Sequence, residues 1–250
     1  MLLTHKFRSP NYAPRTKKID YIIIHFTEML FADALDRLTD ASSGVSAHYL
    51  IKKDGEILQL VSDANIAWHA GISHWCGQEK LNQNSIGIEL DNMGNEPFSK
   101  LQMRSCIELS ASLMTKYNIP TRNFIGHSDI APDRKIDPGI FFDWKICAQH
   151  NLGIWHGLEQ QSADQEQLFC FGDAGTKIEN LQQNLGKLGY NIEITGIFDN
   201  QTNFVIRAFQ SKFYPKIIKD KGIEFYNNVE SKYVWDVFSD KILREIFMIN

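Results

Sequence analysis

The sequence predicts a sheet-and-helix first domain, of the α/β or α+β class, followed by a small three-helix domain. Three observations predict it. Residues 19–26 are apolar on both faces, as in a central strand covered on both sides. Residues 84–90 alternate, so Ser85, Gly87 and Glu89 share one strand face. Beyond residue 170 the pattern changes to helical stripes, beginning with Ile178, Leu181, Leu185 and Leu188.

Taken in order, residues 1–18 are polar with Pro10 and Pro14, and read as an irregular arm. Phe31, Leu35 and Leu38 have helical spacing. Residues 47–52 and 56–61 are short strands around Asp54-Gly55, a hairpin signal. Residues 64–84 lack periodicity and are rich in Trp, His and Gly, which suits a loop wall. The longest helix is expected over 98–117, with Leu101, Cys106, Leu109 and Leu113 on one stripe. A strand over 124–127 and a short helix over 141–149 close a first domain of residues 1–156. Residues 157–170 open on a polar stretch and read as a linker. In the second domain, 171–250, Gly189 ends the first helix and Asp199 caps the second, which carries Phe204, Val205, Ala208 and Phe209. Val234, Val237, Phe238, Ile242 and Ile246 mark the third.

Composition excludes several classes. With a net charge of −4 and no long basic run, nucleic acid is a poor partner. No apolar stretch reaches the length of a membrane span. No apolar h-region follows the first residues, so no signal peptide is read there. The four cysteines, Cys76, Cys106, Cys147 and Cys170, form no Cys-x-x-Cys pair, which argues for buried or free thiols over a thiolate zinc site.

The chemistry gathers in residues 126–139, where a histidine, a lysine and three aspartates lie between two glycines, stiffened by Pro132 and Pro138. His127 at a strand end and Asp137 on the loop beyond are good zinc ligands, and such a site needs a third from elsewhere. His25, ending the run Ile22-Ile23-Ile24, is the best candidate. Two imidazoles, one carboxylate and a fourth position for water make a catalytic rather than a structural set. Glu89 ends its strand where a base is needed. Lys135, two residues before Asp137, shares its face in an extended segment, and is a cation for an oxyanion. The plainer reading pairs Glu89 with Lys135 in a salt bridge. Trp68 and His69 are candidates to line a substrate groove, the ring giving apolar area and the imidazole a hydrogen bond. His48 reads as a packed, hydrogen-bonded residue.

These residues resemble a known family. Ile22-Ile23-Ile24-His25, Ser46-Ala47-His48-Tyr49-Leu50-Ile51, Ala67-Trp68-His69-Ala70-Gly71, residues 84–89 and residues 126–139 are similar in kind and order to the zinc-dependent N-acetylmuramoyl-L-alanine amidases, which share a fold with the peptidoglycan recognition proteins. The resemblance covers roughly residues 17–150, and the stretch Arg134-Lys135-x-Asp137-Pro138-Gly139 is nearest the AmiD-type branch, Asp133 being a departure from it. Leu188-Gly189-Tyr190, Gly196-Ile197-Phe198-Asp199 and Ala208-Phe209-Gln210 resemble the peptidoglycan-binding domain of cell-wall hydrolases. The resemblance implies a mixed central sheet flanked by helices, one zinc per chain on His25, His127 and Asp137, and Glu89 and Lys135 in catalysis. It further implies cleavage of the amide between N-acetylmuramic acid and L-alanine in peptidoglycan or muropeptides. A monomer in the periplasm or cell envelope is expected, with an outer-membrane lipoprotein whose signal segment is missing as one form and a cytoplasmic enzyme as the alternative. The rivals are an inactive peptidoglycan-binding protein of the same fold, for which the water base would be superfluous, and a zinc peptidase of the stem peptide, whose motif spacing is not met.

Overall fold

The structure, a computed structural model, describes residues 3–160 and 166–249. The first part of the chain runs β1 (Leu3–Thr4), β2 (Tyr12–Pro14), β3 (Tyr21–Phe26), α1 (Phe31–Thr39), β4 (Tyr49–Ile51), β5 (Ile57–Gln59), β6 (Asn65–Ala67), β7 (His74–Trp75), β8 (Gln78–Glu79), β9 (Ser85–Leu90), α2 (Lys100–Tyr117), β10 (Phe124–Gly126), α3 (His127–Ile130) and α4 (Trp144–Gln149). The second part runs β11 (Gln167–Cys170), α5 (Thr176–Leu188), α6 (Asn200–Phe213), α7 (Pro215–Lys219), α8 (Ile223–Asn227), β12 (Val234–Asp236) and α9 (Val237–Ile249).

Six strands form one mixed sheet in the order β1-β5-β4-β9-β3-β10. The β4–β5 pair is the antiparallel hairpin expected at Asp54-Gly55, while β4, β9, β3 and β10 run parallel. In this register His25 lies beside Glu89, and Gly126 lies beside Ile24, so His127 follows at the level of His25. Three site candidates thus meet at the carboxyl ends of adjacent parallel strands, where open α/β sheets form their crevice.

Because residues alternate across a strand, β3 sends Ile22 and Ile24 to one face and Tyr21, Ile23 and His25 to the other. The first face packs with Ile86 and Ile88 against Cys106, Leu109 and Leu113 of α2. Leu101, expected on that stripe, is 58% exposed, and Gln102 is buried instead, its amide donating to the carbonyls of Ile51 and Asp91. The second face packs Ile23 and Ile125 in one cluster with Leu181, Leu185, Val205, Phe209 and Trp235. The C-terminal helices therefore serve as the second covering layer of the sheet, and the two halves of the chain have a continuous core. Gly189 is the close approach at this seam. It ends α5 at φ +138°, and a Cβ there would stand 2.6 Å from Trp75 Cε2.

The three predicted C-terminal helices are α5, α6 and α9, and Asp199 caps α6 by accepting from the Thr202 amide at 2.9 Å. Between α6 and α9 the charged stretch that follows no simple pattern forms the short α7 and α8. Residues 167–170, expected in the linker, form β11 and pair with β12; residues 161–165 of that linker lie outside the described residues. The hairpin strands are shorter than expected, and the expected loop wall holds β6, β7 and β8. The helices expected from 98 and 141 start later, where Ser99 and Asp143 cap them. All four cysteines are free, with Cys106 and Cys147 buried.

Candidate active site

His25 and His127 turn the same ring atom inward. The two Nδ1 atoms lie 2.9 Å apart, and each is 3.0 Å from Asp137 Oδ2. All three side chains are buried. His127 opens α3 rather than closing a strand, and the turn directs its ring back over β3. Burial and the neighbouring His127 lower the His25 imidazole to about 4, against the opposing pull of Asp137. Burial raises Asp137, but His127 and His25 outweigh it and hold the carboxyl far below the usual range. His25 is thus held neutral and Asp137 ionised, the protonation states that metal ligands require.

The donor set fits a small divalent ion. His127 Nε2 lies 3.3 Å from the Ala70 carbonyl, which can only accept, so the proton sits on Nε2 and Nδ1 offers a lone pair. Three ligands of one tetrahedral zinc stand roughly 3.3 Å apart, close to the spacing here. Among the described residues these are the three that form a cluster able to hold a metal ion.

The cluster forms the floor of a cavity of about 450 Å³, lined also by Glu89, Lys135, Trp68 and His69 and, from the C-terminal half, by Arg207 and Val229. Glu89 is half-buried as a residue, yet its Oε2 is enclosed without a hydrogen-bond partner. Burial and the nearby Asp137 push its carboxyl well above the ordinary range, Lys135 acting in the other direction. An enclosed carboxylate with a raised affinity for protons is suited to be a base. Among the described residues, Lys135 has no carboxylate within ion-pair distance, which sets aside the plain Glu89–Lys135 salt bridge.

Trp68 stands at the rim, 36% exposed. His69 is different from expectation. Its Nδ1 lies 3.0 Å from His25 Nε2 and its Nε2 lies 3.2 Å from Ser85 Oγ, so both ring nitrogens are engaged within the protein. The expected hydrogen bond from His69 to substrate has no nitrogen left to make it. His48 is fully buried and accepts from the Gly87 amide at 3.0 Å, the packed role read for it. Sequence reading missed Arg134, which donates to the Ala70 carbonyl under His127, and Arg15, whose guanidinium ties the N-terminal arm to the carbonyls of Asn65, Gln83 and Ser85. It also missed Arg207, whose donation to the Pro132 carbonyl brings the C-terminal half to the cavity wall. Each lies far in sequence from what it holds, and no local pattern marks it.

Comparison with known proteins agrees with this geometry. Residues 15–140 match the family described as N-acetylmuramoyl-L-alanine amidase, and residues 174–217 a peptidoglycan binding domain. The chain is 35% identical over 219 residues to the N-acetylmuramoyl-L-alanine amidase AmiD of Escherichia coli, covering 80% of this chain and 76% of that one. The chain belongs to the N-acetylmuramoyl-L-alanine amidase family. Solved amidases share the whole architecture. The structure of Escherichia coli AmiD with anhydro-N-acetylmuramic acid-L-Ala-D-γ-Glu-L-Lys matches with a TM-score of 0.74 at 30% identity, covering 93% of this chain and 90% of that one. AmpDh3 of Pseudomonas aeruginosa with anhydromuramic pentapeptide matches with a TM-score of 0.73 at 25% identity, covering 94% of each. This amidase is therefore a hydrolase of peptidoglycan amide bonds, built on a mixed sheet whose second cover is the peptidoglycan-binding segment.

Proposed function

We propose that this amidase uses one zinc ion, held by His25, His127 and Asp137, to cut the amide between the lactyl group of N-acetylmuramic acid and L-alanine. The observation that carries the proposal is the convergence of His25 Nδ1, His127 Nδ1 and Asp137 Oδ2 at about 3 Å spacing, in a cavity lined also by Glu89, whose enclosed Oε2 has no hydrogen-bond partner. Bound zinc would supply Lewis acidity, polarising the amide carbonyl and bringing the pKa of a water toward about 7.

The remaining steps belong to the chain. Glu89 takes the proton of the attacking water as the carbon–oxygen bond forms. Lys135 faces the oxygen that becomes anionic. When the carbon–nitrogen bond breaks, Glu89 returns the proton to the departing nitrogen of L-alanine. The products are a lactyl carboxylate on the sugar and a peptide with a free amino end. Trp68 at the rim gives apolar area to the muropeptide. AmiD and AmpDh3 were each solved in complex with an anhydromuramoyl peptide, which supports a muropeptide or peptidoglycan substrate here. Residues 1–156 act as the catalytic unit and 171–250 as the wall-binding unit. We read the place of action as the periplasm or cell envelope, where that polymer lies. Among the described residues no helix is long and apolar enough to cross a membrane.

The test is paired. Metal content of the purified protein should be near one zinc per chain. Mass spectrometry of a digested muropeptide should give intact stem peptide and peptide-free sugar. Cleavage inside the peptide, or activity unchanged after complete metal removal, would refute the proposal.

A further inference from the structure

Ser85 Oγ lies 2.6 Å from the carbonyl oxygen of Leu81. A carbonyl only accepts, so the single hydroxyl proton is committed to it. His69 Nε2, 3.2 Å from the same Oγ, must therefore be the donor of that contact. The neutral ring then has a lone pair on Nδ1. That atom lies 3.0 Å from His25 Nε2, which must in turn donate to it. The proton of His25 is thereby held on Nε2, and its Nδ1 is left bare toward His127 and Asp137.

We infer that His69, anchored by Ser85, is a positioning residue that presents His25 to the metal through Nδ1. The inference rests on the metal site proposed above. A buried histidine packed for shape alone could take either tautomer. Here each contact has one allowed direction, and the series ends on the atom that faces Asp137. The neighbouring residue extends the same device, since the Ala70 carbonyl accepts from His127 Nε2. One loop thus sets the tautomer of both histidines. Asn82 Oδ1 holds that loop by accepting from the backbone amides of His69 at 3.0 Å and Ala70 at 2.7 Å.

The β9 strand is adapted to the device. A Cβ at Gly87 would stand 2.4 Å from His69 Cγ, so the ring rests where any other residue would intrude. The alternating face of β9 therefore has three tasks in succession: Ser85 anchors the ring, Gly87 clears space for it, and Glu89 lies beyond as the base.

The experiment measures zinc affinity of the full chain by competition with a chromophoric chelator. Outer partners of this kind are worth about 10–100-fold in metal affinity. Ser85→Ala and His69→Phe should each weaken zinc by that factor. His69→Gln, whose amide oxygen still accepts from His25, should recover part of it. Nitrogen-15 imidazole spectra of the metal-free chain read the tautomer directly: His25 should carry its proton on Nε2 in the parent and a mixture in Ser85→Ala. Parental affinity in folded Ser85→Ala and His69→Phe, or an Nδ1 proton on His25 in the parent, would overturn the inference. Should His69→Phe fail to fold, Ser85→Ala and the nitrogen spectra decide. A parent that binds no zinc while showing the expected tautomer would overturn the metal site instead, so the two failures are distinct.

Discussion

Lys212 Nζ lies 2.7 Å from Asp129 Oδ2, and both side chains are buried. The pair ties α6 to the short turn that carries His127. Tyr190 donates its hydroxyl to the other oxygen of Asp129 at 2.9 Å, and Asp129 in turn accepts from the Gly126 amide at 2.8 Å. Lys212 on α6 and Tyr190, just beyond the end of α5, thus hold the residue that shapes the turn carrying His127.

Lys212→Met should therefore destabilise the whole protein. It leaves a buried carboxylate uncompensated, a loss of roughly 3–5 kcal/mol. Urea unfolding followed by circular dichroism and by tryptophan fluorescence should give coincident curves, both shifted. A shift confined to one probe would mean that the two halves unfold apart.

Removing residues 171–250 should cost the fold, beyond the loss of wall binding. Ile23, Ile125 and Trp75 share their cluster with Leu181, Leu185 and Phe209, and truncation would expose that face. The truncated chain is expected to aggregate or to lose zinc and muropeptide cleavage together. A soluble truncated chain with parental cleavage of soluble muropeptide would show that the sheet tolerates the loss of its second cover.

Glu89→Gln should keep fold and zinc and lose most activity. Without the carboxylate the water proton has no acceptor, a loss of about 10²–10⁴ in rate. Hydrolysis at the parental rate would make Glu89 structural only.

Lys135→Met separates an oxyanion role from a packing role. Loss of such a donor costs about 10²–10³ in kcat, and the effect should fall on kcat more than on KM. Zinc content and melting temperature should stay near parental. An unchanged kcat with full zinc would remove Lys135 from the mechanism.

Asp63 supplies an acid-sensitive part of the stability. Burial raises its carboxyl, but Tyr49 at 2.6 Å, Tyr117 at 2.7 Å and Lys116 at 3.0 Å outweigh burial and lower it below the ordinary value. A carboxyl lower in the folded than in the unfolded chain stabilises at pH above its unfolded value, about 3.9, and this is lost as pH falls toward the folded one. The gap in melting temperature between the parent and Asp63→Asn should be wide at neutral pH and shrink below about pH 4. A gap independent of pH would assign the effect to packing.

The pattern of residues by itself determined the strand bearing His25, the alternating face of β9, the hairpin at Asp54-Gly55 and the three main C-terminal helices. Each is a local matter, since period, turn chemistry and caps are written within a few residues of where they act. It also marked His25, His127, Asp137, Glu89 and Lys135 as one group, because their motifs are specific and ordered. Only the tertiary structure decided how the halves relate. Residues 21–26 are apolar on both faces and so require two covers, but nothing local says that the second cover is α5 and α6. Nor could sequence separate His69 as a groove residue from His69 as the partner of His25. That distinction depends on Ser85 and Leu81 meeting a ring from another segment, and on which atom of each can donate. Hydrogen-bond direction is a property of three groups brought together, and folding alone brings them together.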